Sequence, residues 1–240
     1  MIELLVVVAI MSLLVSILLP SLSAAKSLAR ATDCMCNAKS LGLAVQMYTN
    51  EWDFYPPAWV VDNPISIAWC GGYYKQDGVG HMDITLSPLW PYLQEKKMLW
   101  CKEFTPSQVK YAGSGQISGY GINCQYVAGD PVVNPNDGQA GMSNWAKPAR
   151  VDQVVQPAET ILFADCARVK QGAHNEEIFV YPLYKYNSTT RNYATFHFRH
   201  RSKANAAFCD GHVDSISPLE LDSAGDGQCG WMANELMDRE

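Results

Sequence analysis

The chain has 240 residues, with 18 Lys and Arg against 24 Asp and Glu, a formal charge of −6. Neutralising a phosphate backbone takes clustered basic side chains, so this balance argues against a nucleic-acid partner. Hydrophobic residues at 48% and charged residues at 18% exclude a chain disordered throughout, and the length allows one ordinary core, or one core plus an appendage.

The apolar content is concentrated at the N-terminus. No charged residue occurs from Leu4 to Ala25, and Ser12 and Ser16 alone interrupt the apolar run Leu4–Leu19. As a helix, residues 4–25 would extend roughly 33 Å, enough to cross a hydrocarbon core of about 30 Å. A secretory signal peptide should begin with a basic segment and carry a shorter apolar stretch; here Glu3 precedes the run, and Ser23-Ala24-Ala25 is a weak cleavage signal. A plain membrane anchor fits the length but leaves Glu3 unexplained, because a carboxylate at the edge of hydrocarbon is costly and usually partnered.

The segment Met1-Ile2-Glu3-Leu4-Leu5-Val6-Val7-Val8-Ala9-Ile10, with Pro20 seventeen residues beyond Glu3, resembles the mature N-terminus of type IV pilins and type II secretion pseudopilins. The resemblance implies that Glu3 pairs with the terminal amine of a neighbouring subunit while the apolar helices pack into a filament core. Such a buried pair of opposite charges would set the axial register between otherwise slippery helices. Pro20 would remove one helix hydrogen bond and kink or locally melt the helix. The resemblance further implies a short basic leader ending in Gly, a prepilin peptidase to remove it, and N-methylation, none of which falls on a residue of this sequence. Lys26 and Arg30 follow the span and by the positive-inside tendency would keep the next domain in the cytoplasm. The resemblance implies instead an inner-membrane, single-pass protein whose globular part lies in the periplasm or on a surface filament.

After Pro20 the helix is expected to continue to about Asn50, with Leu41, Ala44, Val45 and Tyr48 forming one apolar stripe and Pro56-Pro57 as the stop. Residues 1–25 are thus read as the filament-core segment, 26–52 as its amphipathic continuation and 53–240 as a globular domain. Residues 58–150 are rich in Gly, Pro, Trp and Tyr and read as loops with short elements, among them Leu86–Leu93. Trp59, Trp69, Trp90 and Trp100 are expected to pack inside rather than form a carbohydrate platform. Val127–Asn144 reads as a long surface loop.

From about 158 to 217 the chain reads as β. Thr160–Ala164 is a short buried strand ending at Asp165, and Tyr193–His200 alternates as a half-buried strand should. Ala204–Phe208 and His212–Ile216 flank Cys209-Asp210-Gly211, a tight-hairpin signal. The expected fold is α+β, a long N-terminal helix packed on an antiparallel sheet.

His200 is followed by nine residues and then Asp210-Gly211, with Ala204-Asn205 and Phe208 between them. This H-x9-DG spacing resembles the C-terminal signature of a pseudopilin-like group in bacterial genomes, whose helix the run Cys34-Met35-Cys36-Asn37-Ala38-Lys39 with Leu41-Gly42 also resembles. The signature is a structural motif and implies no chemistry. His197, His200, Asp210 and His212 could in principle hold a transition metal, but their spacing matches no standard zinc template; the competing reading has Asp210 shaping the turn and His200 bonding across the hairpin. Major pseudopilins hold calcium in a C-terminal loop, and Glu220, Asp222 and Asp226 offer oxygen ligands without forming an EF-hand loop. No nucleophile elbow and no phosphate-binding lysine loop occurs, so no enzyme activity is expected.

Eight Cys occur, at 34, 36, 70, 101, 124, 166, 209 and 229, an even count compatible with disulfides in an exported domain. On a helix, Cys34 and Cys36 would point to different faces. The expected function is a structural filament subunit. Its partners would be copies of itself, other pilins or pseudopilins, an assembly platform and, for a precursor, the peptidase. The alternatives are a membrane-tethered envelope protein binding glycan or metal, and an envelope metalloenzyme.

Overall fold

The computed structural model describes residues 2–60, 64–77, 79–93, 95, 99–104, 118–124, 126–129, 147–170, 173–175, 177–181, 185–186, 190–191, 194–221 and 228–232. Helix α1, Ile2–Trp52, spans 51 residues without a break, and Pro20 lies inside it. The expected local melting at Pro20 is therefore not seen. At about 1.5 Å per residue α1 extends roughly 77 Å, far more than a domain of this size needs to bury. Its two halves behave differently. Every residue from Ile2 to Ala25 is exposed, and this half is long and apolar enough to cross a membrane. The second half buries Cys34, Ala38, Leu41, Gly42, Ala44, Val45 and Thr49, a stripe at steps of three and four that matches the helical period.

Strands β1 (Trp59–Val60), β2 (Ser66–Ala68), β3 (Gly71–Gln76) and β4 (Val79–Asp83) form an antiparallel meander in that order. This sheet lies in the stretch expected to be mostly loop. Its register hides from periodicity analysis because glycines and aromatics replace a simple alternation. A 3-10 turn at Ile84–Leu86 and helix α2 (Trp90–Leu93) follow, confirming short elements within Leu86–Leu93. Asp83 caps that turn by accepting a hydrogen bond from the Thr85 backbone.

The remaining strands are β5 (Tyr120–Asn123), β6 (Ile161–Asp165), β7 (Arg168–Lys170), β8 (Ala173–Asn175), β9 (Phe179–Val180), β10 (Lys185–Tyr186), β11 (Thr190–Arg191), β12 (Phe196–His197), β13 (Ala204–Phe208), β14 (Val213–Ile216), β15 (Glu220–Leu221) and β16 (Cys229–Trp231). The central sheet has the order β14-β13-β6-β5-β9, a second sheet has the order β12-β16-β15, and β7-β8 and β10-β11 form two-stranded ribbons. The expected α+β class is what the chain adopts: most pairings are antiparallel, and β9 joins β5 in parallel at one edge of the central sheet. The hairpin β13-β14 forms as its sequence predicts, with Ala204 opposite Ile216 and Ala207 opposite Val213.

The segment Tyr193–His200 departs from its expected half-buried alternation. Of it, Phe196–His197 is strand, and Thr195, Phe196, His197 and Phe198 are all buried. Alternation predicts one wet face only when nothing covers that face. The loop Val127–Asn144 is described over Val127–Gly129, where Val127 and Ala128 are buried rather than on the surface; the rest lies outside the described residues.

The core lies between α1 and the central sheet. Strand β6 is buried at all five positions, as is β13. β13 has the sequence Ala-Asn-Ala-Ala-Phe, and its small side chains let the helix approach closely. A methyl added at Gly42 would stand 3.7 Å from the Ala207 methyl, ordinary van der Waals contact. Trp69 is fully buried, stacks obliquely on Phe163 at 4.8 Å between ring centroids, and its indole N–H donates to the Ile178 carbonyl at 2.8 Å. Trp59 and Trp100 pack partly buried against the same core, as expected for packing residues.

Candidate functional site

Two places gather the polar side chains singled out in the sequence. The first is the exposed start of α1. Glu3 lies in its first turn, where a carboxylate faces unsatisfied backbone N–H groups and the positive end of the helix dipole. Ile2, Leu4, Leu5, Ile10, Leu13 and Leu14 are each more than half exposed around and beyond it. No side chain of the globular domain covers this surface among the described residues.

The second is the H-x9-DG motif, which lies along the buried half of α1. At its Asp-Gly end, the Phe208 N–H donates to the His212 carbonyl and Gly211 adopts φ +87°, the left-handed conformation that glycine tolerates best. Asp210 Oδ1 accepts from the His212 backbone N–H at 2.9 Å and faces the ring Nδ1 at 2.6 Å. Partial burial raises the Asp210 pKa, but these two contacts outweigh it and hold the carboxyl below its usual range. The turn carbonyls are then used by the helix: Lys39 Nζ donates to Gly211 O and Gln46 Nε2 to Asp210 O, both at 2.6 Å. Midway, the Asn205 amide donates to the Ala31 carbonyl at 3.3 Å. Asp210 shapes its turn, as one reading of the sequence had it.

At the other end His200 does something different from bonding across the hairpin. Its backbone pairs with Lys203, but its ring turns into a buried polar cluster beneath α1. His200 Nε2 lies 3.3 Å from Asp165 Oδ2 and 3.4 Å from Cys101 Sγ. Asp165 Oδ2 also accepts from the Asn205 backbone N–H at 2.7 Å, and Oδ1 faces Arg199 Nη2 at 3.5 Å. Arg199 donates to the carbonyls of Gly119 (2.7 Å) and Cys166 (3.1 Å) and lies over the Phe104 ring at 4.5 Å. Burial alone would lower the His200 pKa, but the hydrogen bonds to Asp165 and Cys101 outweigh it and push it up to about 9. A buried carboxylate thus faces two cations and a backbone N–H, the arrangement that makes a buried charge tolerable.

Cys34 and Cys101 complete the cluster. Both are fully buried, with Sγ atoms 2.8 Å apart, and the Tyr120 hydroxyl donates to the Cys34 carbonyl at 3.1 Å. The contact between the two sulfurs lowers the Cys34 pKa and raises that of Cys101. Cys36, two residues on, is exposed, so the pair diverges on the helix as expected. Among the described residues, Cys34, Cys101 and His200 form a group whose ligand atoms lie within 4.8 Å of one another.

The four residues considered for a transition metal are not brought together. His200 joins Asp165 and Cys101, Asp210 joins His212 at the far end of β13, and His197 is buried in a T-shaped contact with the Phe104 ring, 5.9 Å between centroids. Of the calcium candidates, Glu220 is exposed on β15, while Asp222 and Asp226 lie outside the described residues. Sequence reasoning missed Cys101, Asp165, Arg199, Lys39 and Gln46. Asp165 and Arg199 could have been flagged, because each breaks an otherwise apolar or aromatic β segment, and such a charge needs a partner. Their pairing could not have been read, since 34 residues separate them.

No curated protein and no solved structure matches the chain. A family model does match, over residues 23–175. That stretch holds the buried half of α1 and Cys34, Cys101 and Asp165; it starts within the last residues of the exposed apolar segment and ends before the H-x9-DG motif. Since the match spans more than half of the sequence, the chain belongs to the family described as "Protein of unknown function (DUF1559)".

Proposed function

We propose that this protein is a structural subunit of a type IV pilus-like or type II secretion pseudopilus-like filament, assembling through the first half of α1. The observation that carries the reading is one continuous helix with two environments. The globular domain grips α1 from Arg30 and Ala31 onward, whereas the apolar surface of residues 2–25 has nothing from the domain against it among the described residues. So large an apolar surface requires either lipid or other apolar helices. Before assembly the segment holds the subunit in the inner membrane as a single span, with the domain on the periplasmic side. On assembly it exchanges lipid for the same segment of neighbouring subunits, and Glu3 pairs with a terminal amine. Other pilins or pseudopilins, an assembly platform and a prepilin peptidase are the partners this reading requires. No catalytic group takes part; packing and one ion pair set the register.

The arrangement of aromatics lends no support to a glycan-binding platform, since Trp69 is fully buried and Trp59 and Trp100 pack against the core. The reading is tested with the full chain in its own envelope. Glu3→Ala and Glu3→Lys should leave membrane insertion intact but abolish sheared, sedimentable filament and cross-linked ladders of subunits. Unchanged assembly in both variants would refute it.

A further inference from the structure

We propose that Cys34 and Cys101 form a disulfide that fixes the long helix covalently to the globular domain. The two residues lie 67 positions apart, one on the gripped half of α1 and one in the segment after α2, and both are fully buried. Their sulfurs are 2.8 Å apart. Two unbonded thiols in van der Waals contact would stand further apart, since even carbon atoms settle at about 3.5–4.0 Å. Two thiolates on one tetrahedral zinc, each bonded at about 2.3 Å, would be held roughly 3.7 Å apart. The separation is shorter than either arrangement, and a side-chain shift of under about 1 Å would bring the two free thiols to the disulfide distance of about 2.05 Å. Asp165 Oδ2 accepts from the Asn205 N–H and the carboxylate faces Arg199 and His200, so it is engaged as their counter-ion beside the two sulfurs.

The location gives the bond a consequence. Helix α1 projects far beyond the domain, so force on the apolar half is transmitted to the domain across the interface that begins with the contacts of Arg30 and Ala31. Cys34 is the first fully buried residue on the helix, one turn past those contacts and close to where peeling would start. A covalent link there resists it. Formation needs an oxidant, and an envelope disulfide carrier of the thiol-exchange class supplies it. The Cys34 thiol loses its proton and attacks one sulfur of the carrier, releasing the carrier's other sulfur as a thiol. The Cys101 thiolate then displaces the carrier from Cys34. Two protein thiols become one disulfide while one carrier disulfide becomes two thiols. Since both cysteines are buried in the folded domain, the exchange precedes closure of the helix onto β13. In the cell this rests on export of the domain, as proposed above.

The full chain is isolated from envelopes after thiol blocking, unfolded without reductant and peptide-mapped; a second sample is reduced and unfolded, then refolded into detergent with a glutathione redox couple present before blocking. The expected result in both is a peptide linking Cys34 to Cys101, with exposed Cys36 alkylated before unfolding as an internal control. Reduction should lower the melting temperature by about 10 °C, and a Cys34→Ala/Cys101→Ala variant should not respond at these positions. A link formed with glutathione but absent in cells upholds the pairing and overturns export. Both cysteines alkylated only after unfolding of the glutathione-treated chain, or one zinc retained per chain, would overturn the disulfide.

Discussion

Lys39 and Gly211, 172 residues apart, are joined by a 2.6 Å hydrogen bond from the lysine ammonium to the turn carbonyl. The bond ties the midpoint of the helix's gripped half to the last residue of the H-x9-DG motif. With Asn205 reaching Ala31 and Gln46 reaching Asp210, the motif follows α1 over about four turns. Its fixed length then has a physical meaning. His200 enters the cluster beside Cys101, five residues of β13 carry the chain along the helix, and the Asp-Gly turn brings its carbonyls to Lys39 and Gln46. The motif works as a clasp for the helix.

Gly211→Ala should loosen that clasp. Its φ of +87° strains any side chain, and the new methyl would collide with the Gln46 amide that bonds Asp210 O. We expect a loss of about 1–2 kcal/mol, read as a fall of roughly 3–6 °C in melting temperature. An unchanged melting temperature would show that the turn is not held in this conformation.

Gly42 separates close packing from overpacking. Gly42→Ala places its methyl in ordinary contact with Ala207 and removes a helix-interior glycine, so it should stabilise by about 0.5–1 kcal/mol. Gly42→Leu must push α1 off β13 and should cost about 1–3 kcal/mol. Denaturant titration of both variants gives the signs, and equal effects would contradict the tight helix–strand contact.

Arg199→Lys should be severe despite retaining the charge. The guanidinium bonds two carbonyls, faces Asp165 and covers Phe104 together, which a single ammonium cannot reproduce. Arg199→Met leaves Asp165 short of a buried partner and should cost about 3–5 kcal/mol. Restoring most of that loss with Asp165→Asn in the Met background would confirm the pair by double-mutant cycle.

The His200–Asp165 contact makes stability depend on pH in the alkaline direction. The folded pKa of about 9 lies above the unfolded value of 6.5, so protonated His200 favours the folded state. That contribution is complete below about pH 6.5 and fades as pH rises to 9 and beyond. Its size is of the order of 1–3 kcal/mol, the smaller figure applying when Cys101 is in a disulfide and Asp165 acts alone. Melting temperatures across pH 6–10 should fall for the wild type and stay flatter in this window for His200→Gln. Parallel profiles would assign the drop to other groups.

The one-dimensional pattern was sufficient for whatever depends on neighbours along the chain. The charge-free apolar run from Leu4 specified a helix able to cross a membrane, the steps of three and four through Leu41 and Val45 specified the buried face of its second half, and Asp210-Gly211 specified the hairpin. These are local effects of side-chain period and backbone sterics. Tertiary structure alone decided what depends on residues distant in sequence. It put β9 parallel to β5, covered both faces of Phe196–His197, and turned His200 away from its own hairpin toward Asp165, Cys101 and the helix. No periodicity encodes such meetings, because a buried charge or thiol is stabilised by whichever partner the fold delivers, and that partner can come from any position in the sequence.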